Sequence, residues 1–195
     1  MRKIENFKLI GFLILLITGS LGYAQNILVD FKTELGVITI ELYSEKAPIT
    51  VGNFLQYVDE NRLDSSTFYR VVRADNQQDN PVKIQVIQGG LFEDEHPKML
   101  PAIEHESTKE TGILHLKGAI SMARYGPGTA TSEFFICMVD EPELDAGGMR
   151  NADGAGFAAF GKVVEGMDVA EKIHKSKADD QYLNPRILIY SIRRK

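Results

Sequence analysis

The sequence has no tryptophan, a single cysteine, no run of basic residues and only one long apolar stretch, which is itself short. Each shortage excludes something. One cysteine, Cys137, rules out an intrachain disulfide and any cysteine-based metal cage. The four histidines, His96, His105, His115 and His174, are too far apart to form a local ligand pair, so no metal and no cofactor is expected. Lys and Arg total 22 against 27 Asp and Glu, a net charge of -5, and no basic cluster could neutralise a row of phosphates. Nucleic acid is therefore not an expected partner. What is present, 44% hydrophobic and 25% charged residues with 17 Gly and 7 Pro, describes an ordinary globular chain of one domain.

The apolar stretch runs from Leu9 to Ile17, behind Arg2, Lys3 and Lys8 and ahead of Thr18, Gly19, Ser20 and the small-residue junction Gly22-Tyr23-Ala24. That order is a secretory signal peptide. A spanning helix wants about 20 apolar residues, so the run is too short for an anchor. Residues 1–24 are thus expected to be removed by a cut after Ala24. The remaining 25–195 form one exported domain, periplasmic or secreted and free of the membrane. No cysteine stands near the junction to carry a lipid. The domain is expected to act as a monomer.

Along that domain, Ile27, Val29 and Phe31 alternate with polar or outward positions, and after Glu34-Leu35-Gly36 a second alternating run spans 37–42, which predicts a β-hairpin. From Pro48 to Asn61 the period changes: Val51, Phe54, Leu55 and Val58 fall at helical spacing, with Pro48 in the first turn. Strand-like runs recur at 67–72, 82–88, 119–124, 133–139, 157–164 and 186–194, and a second helix is expected over 166–174. About eight strands and two helices without a βαβ rhythm predict a mainly β fold, an antiparallel barrel or sandwich with helical plugs. Residues 74–81, polar, and 145–156, with four glycines, are expected to be exposed loops.

The usual catalytic motifs are missing. Gly154-Ala155-Gly156 invites a phosphate-binding reading, but the following Phe157-Ala158-Ala159-Phe160-Gly161 reads as strand, where a phosphate loop needs a helix. There is no G-x-S-x-G, and Cys137 lies among Phe134, Phe135, Ile136 and Met138 like a core residue. What remains is Phe68-Tyr69-Arg70-Val71-Val72, Gln88-Gly89-Gly90, Ser121-Met122-Ala123-Arg124, Ser132-Glu133-Phe134-Phe135-Ile136 and Phe157-Ala158-Ala159-Phe160-Gly161-Lys162-Val163, in that order.

This set resembles the cyclophilins, peptidyl-prolyl cis/trans isomerases. The likeness extends from the opening hairpin to the last strand, and the Ala123-Arg124 and Gly156-Phe157-Ala158 segments look most like the exported bacterial branch. It implies a closed eight-stranded antiparallel β-barrel with two capping α-helices, acting on proline-containing polypeptides. Such an enzyme needs no nucleophile. Rotation about an X-Pro bond faces a barrier of about 18–20 kcal/mol because the amide is conjugated. In the twisted state the prolyl nitrogen regains its lone pair, so a fixed cationic donor beside it stabilises the transition state above the planar ground state. Arginine suits that role.

By resemblance Arg70 is that donor, and Gln88 holds the flanking carbonyl and the guanidinium. Phe135 and Leu144 floor an apolar pocket for the proline ring, with Phe157 at its rim. The main chain of Ala123 and Arg124 pairs with substrate as an added edge. On pattern alone, Phe135 is simply a core-facing strand residue and Arg70 a surface or ion-pair arginine. There are departures as well. Glu133 stands where the family usually has glutamine, and it is expected to pair with Arg124 rather than Arg70. The longer 73–87 segment replaces a short family step, leaving Gln85 and Val86 where larger residues normally enclose the proline. Glu143 falls near the family's common tryptophan. The alternative reading is a proline-peptide-binding or chaperone module on the same barrel, with reduced catalysis.

Overall fold

The computed structural model of the chain describes residues 27–195, so the expected signal segment and the expected cut after Ala24 lie outside the described residues. The alternating opening forms the hairpin Ile27–Thr33 (β1) and Gly36–Leu42 (β2), whose inward set, Val29, Phe31, Ile38, Ile40 and Leu42, is fully buried. The turn is tied by Thr33, whose Oγ1 donates to the Gly36 carbonyl and accepts from the Leu35 N–H. Pro48–Asp59 (α1) opens on its proline and buries Val51, Phe54, Leu55 and Val58. There follow Ser66–Val72 (β3), Val86–Gly90 (β4), the one-turn helix Thr108–Thr111 (α2), Ala119–Met122 (β5) and Phe134–Cys137 (β6). The chain ends with Ala158–Glu165 (β7), Met167–Lys175 (α3), the two-residue Ala178–Asp179 (β8) and Tyr182–Arg194 (β9).

All pairings are antiparallel, in the order β1-β2-β7-β5-β6-β4-β3-β9, and β1 pairs again with β9, which closes an eight-stranded barrel. The short β8 only extends β9 as a hairpin. Closure removes the sheet edges that an open sheet of this size would expose. Inside, Phe31, Phe54, Phe68, Phe134 and Phe160 form one aromatic cluster, with ring centroids 5.2–6.0 Å apart and mostly edge-to-face. Both long helices join that core, α3 through Val169, Ala170 and Ile173.

Among the described residues three α-helices are present where the periodicity predicts two. The extra one, α2, is a single turn held by a capping box in which the Ser107 N–H donates to Glu110. The strand expected from Val82 begins only at Val86, because Ile84 turns its N–H and carbonyl to the side chain of Gln77. Gln77 is 4% exposed, so the 74–81 loop is pinned into the molecule rather than freely solvated. The 145–156 loop is likewise anchored. A Cβ at Gly156 would collide with the backbone of Asp145 and Ala146, and the glycine leads into strand β7, in keeping with the strand-like pattern that follows it.

Candidate active site

Strand alternation sorts β6 into two faces. Phe134 and Ile136 point into the barrel, while Phe135 and Cys137 fall on a second apolar cluster with Val72, Ile84, Val86, Ala119 and Leu144. That outer cluster floors a cleft of about 410 Å³. Arg70, Gln88, Val86, Ala123, Arg124, Glu133, Phe135, Leu144 and Phe157 all line it. Cys137 does not; it is fully buried, and burial pushes its thiol well above the usual range, so it packs as the sequence suggests.

A β-bulge builds the polar wall. Phe68 pairs with Gly89 and Arg70 with Gln88, so Tyr69 is an extra residue in β3. Phe68 therefore enters the core while Tyr69 and Arg70, adjacent in sequence, both reach the cleft. The Gly-Gly step serves the same wall. Gly90 holds a left-handed φ of +144°, and a Cβ there would land on the Glu133 carboxylate.

A chain of hydrogen bonds runs along this wall. Arg70 Nη1 donates to Gln88 Oε1 at 2.9 Å, Gln88 Nε2 donates to the Tyr69 hydroxyl at 2.7 Å, and that hydroxyl donates to Glu133 Oε2 at 2.5 Å. On its other side Arg70 donates from Nε and Nη2 to Gln181 Oε1, at 2.9 and 2.5 Å. Among the described residues no carboxylate pairs with Arg70. Burial, with Glu133 beside it, pushes the Tyr69 phenol far above its ordinary range, so it stays a hydrogen-bond donor.

Glu133 corrects the expectation that it pairs with Arg124. Its carboxylate accepts from Tyr69, Ser132 Oγ and the Phe92 N–H and touches neither arginine. Arg124 is claimed elsewhere: Nη1 and Nη2 donate to Asp153 at 2.7 and 3.0 Å, and Nε donates to the Gly156 carbonyl at 2.9 Å. Its guanidinium lies 5.1 Å from the Phe157 ring centroid and so fixes the rim aromatic. Arg124 holds the Asp153 carboxyl down at about 2. The edge expected at Ala123 and Arg124 is narrower than the resemblance implies, since the Ala123 N–H is spent on the Glu133 carbonyl at 2.8 Å.

The apolar floor is braced from beneath. Leu144, 1% exposed, closes a 3-10 turn at Pro142–Leu144, and its carbonyl accepts the Phe157 N–H. Phe135 meets Phe157 edge-to-face at 5.3 Å and stacks on the buried His115 at 5.9 Å. His115 is fixed by both nitrogens, Nδ1 2.7 Å from Asp145 Oδ1 and Nε2 3.0 Å from Ser121 Oγ. Val86 is buried in the wall, whereas Gln85 is not among the residues that line the cleft, and its backbone N–H donates to Glu141 Oε1. Glu143 stands outside the lining and accepts the Met149 N–H.

Four participants escape sequence reasoning. Tyr69 is hidden by the bulge, which strict alternation cannot register. Gln181 reaches Arg70 across 111 residues of chain. Arg150, in the glycine-bearing loop, lines the cleft and donates to Gln77 Oε1 and the Val82 carbonyl. Phe92 meets Tyr69 edge-on at 4.8 Å and carries the Arg186 guanidinium 3.6 Å from its ring centroid.

Comparison with known proteins agrees with this architecture. The family model for cyclophilin-type peptidyl-prolyl cis-trans isomerases matches residues 28–194. A peptidyl-prolyl cis-trans isomerase of Acinetobacter baylyi is 39% identical over 149 residues, covering 76% of this chain and 72% of the relative. Peptidyl-prolyl cis-trans isomerase B of Escherichia coli is 36% identical over 154 residues, covering 75% and 83%. A Cryptosporidium parvum cyclophilin-type isomerase shares the fold at 21% identity, with a TM-score of 0.67 over 88% of this chain and 98% of its own. That protein has also been solved in the presence of the dipeptide Ala-Pro. With its closed eight-stranded barrel and a match from the first strand to the last, this chain belongs to the cyclophilin-type peptidyl-prolyl cis-trans isomerase family.

Proposed function

We propose that this isomerase turns X-Pro bonds in exported polypeptides, with Arg70 stabilising the twisted amide. The observation that carries this reading is the way Arg70 is held. Two amide oxygens, from Gln88 and Gln181, orient it without neutralising it. Three of its five N–H groups are used, which leaves one on Nη1 and one on Nη2. A charged donor held by neutral partners in a partly desolvated cleft favours the lone pair that appears on the prolyl nitrogen only as the amide twists.

The remaining roles follow from position. The proline ring rests on Phe135 and Leu144 against Val86, with Phe157 at the rim. Gln88 keeps one amide N–H beyond its bond to Tyr69, available to the flanking carbonyl. The substrate backbone pairs with the Ala123 carbonyl and the Arg124 N–H, the Ala123 N–H being already engaged. Residues 25–195 act as the exported domain after a cut following Ala24, a reading supported by the charged, apolar and small-residue order of the first 24 residues.

The test is the cis-to-trans rate of a short Ala-Pro peptide with and without the purified domain. Acceleration proportional to enzyme concentration is expected. Binding of the peptide without acceleration would point to the peptide-holding alternative instead. Intact mass of the exported protein should place its first residue at Gln25, and recovery of Met1 in the membrane fraction would contradict export as a soluble domain.

A further inference from the structure

We infer that Gln181, in the turn between β8 and β9, is a positioning residue for Arg70: a neutral brace that sets the plane of the guanidinium. The inference rests on the reading of Arg70 given above. Two N–H groups on one edge of the guanidinium, those of Nε and Nη2, converge on the single oxygen Gln181 Oε1 at 2.9 and 2.5 Å. Two donors sharing one acceptor fix both the direction and the rotation of a planar group, whereas the single bond from Nη1 to Gln88 fixes direction alone.

Gln181 is itself locked. Its Nε2 donates to the Asn76 carbonyl at 2.7 Å, and its own backbone carbonyl accepts the Val71 N–H, one residue beyond Arg70, at 2.8 Å. Asn76 then ties the inserted loop to both flanking elements. Its Nδ2 donates to the carbonyls of Val71 and Asp180, and its Oδ1 accepts the Arg73 N–H at 2.7 Å. The segment that departs from the usual cyclophilin step is therefore built into the support of the arginine. With both Gln181 amide groups spent on named partners, the oxygen cannot swing away without leaving a donor unpaired.

An amide rather than a carboxylate matters here. A carboxylate at position 181 would grip the same edge more tightly while drawing off the charge that the prolyl nitrogen needs. Gln181 is not among the residues that line the cleft; it lies in an adjoining polar cavity of about 710 Å³ with Asn76 and Asp180, which shares Asn80 and Arg150 with the cleft, so a substitution there reaches the proline pocket through Arg70 and not through the apolar floor.

The test compares Gln181→Met, which keeps length but loses both bonds to Arg70 and the one to Asn76, with Gln181→Glu, which keeps an acceptor for Arg70 but charges it and sets its second oxygen against the Asn76 carbonyl. Both are measured beside Arg70→Ala in the full domain with one Ala-Pro peptide. Gln181→Met should lower kcat by about tenfold with KM within about twofold, and should broaden the Arg70 Nε–H resonance in a 15N spectrum. Gln181→Glu should keep that resonance sharp and still lower kcat. If Arg70→Ala loses activity while Gln181→Met keeps wild-type kcat, the brace is wrong and the reading of Arg70 stands. Wild-type kcat in Gln181→Glu would overturn the requirement for a neutral partner. Wild-type kcat in both Arg70→Ala and Gln181→Met would overturn the underlying reading as well.

Discussion

The Tyr69 hydroxyl donates to Glu133 at 2.5 Å, and through Gln88 it connects that carboxylate to Arg70 without any ion pair between the two charged residues. The chain of amide and hydroxyl groups separates a negative charge just ahead of β6 from a positive one on β3. Glu133 also accepts from Ser132 and the Phe92 N–H, so it works as a structural acceptor at the head of the wall.

Replacing Glu133 by glutamine should therefore act gently. One oxygen is lost as an acceptor, and the Tyr69 hydroxyl must find a new orientation, a loss on the order of 1 kcal/mol in stability. The expected change in kcat/KM is under threefold, checked by steady-state isomerisation together with thermal denaturation. A tenfold rise would mean that the carboxylate restrains Arg70 through Tyr69 and Gln88.

Arg124 and Asp153 should separate binding from charge. Asp153→Asn leaves Arg124 on the Gly156 carbonyl and over Phe157, so activity should stay near wild type, while loss of a bidentate pair whose arginine side chain is 0% exposed should lower Tm. Arg124→Ala removes the clamp from the rim aromatic and should raise KM several-fold with little change in kcat. A fall in kcat alone would place Arg124 in the chemistry.

Much of this arrangement is legible in the order of the residues. The hairpin at 27–42 and the helix from Pro48 follow from alternation and from helical spacing, because each buries one regular face. The resemblance to the cyclophilins names the residues that gather in the cleft, whereas periodicity alone leaves Phe135 a plain core residue. What stays hidden is irregular or distant. The bulge at Tyr69 changes which side chains share a face without changing composition. The four-residue α2 is too short for a period, although its Ser107-x-x-Glu110 box is visible in the sequence. Gln181 meets Arg70 only because β3 and β9 pair, a long-range event with no local signature.

Glu141 should leave a mark on stability against pH. It is 5% exposed, accepts the Gln85 N–H at 2.6 Å, and burial pushes its carboxyl up to about 7 from an ordinary 4.5. The folded protein therefore holds this proton more tightly than the unfolded chain. Its contribution is full below about 4.5 and is lost as pH rises through about 7. Glu141→Gln should be near wild type at pH 5 and more stable at pH 8, by on the order of 1–3 kcal/mol. Denaturant melts at the two pH values check this, and equal offsets at both would contradict it.

The central claim is that Arg70 acts on the twisted amide and not on peptide affinity. The direct measurement is kcat at saturating Ala-Pro peptide, by exchange NMR, beside the Kd of the same peptide for wild type, Arg70→Ala and Arg70→Lys. Loss of a transition-state donor should lower kcat by on the order of 10²-fold in Arg70→Ala, a cost of roughly 3 kcal/mol. Kd should stay within about threefold, and Arg70→Lys should restore only part of the rate, because an ammonium lacks the planar fork. A folded Arg70→Ala protein with unchanged kcat, or one whose whole defect lies in Kd, would contradict the account.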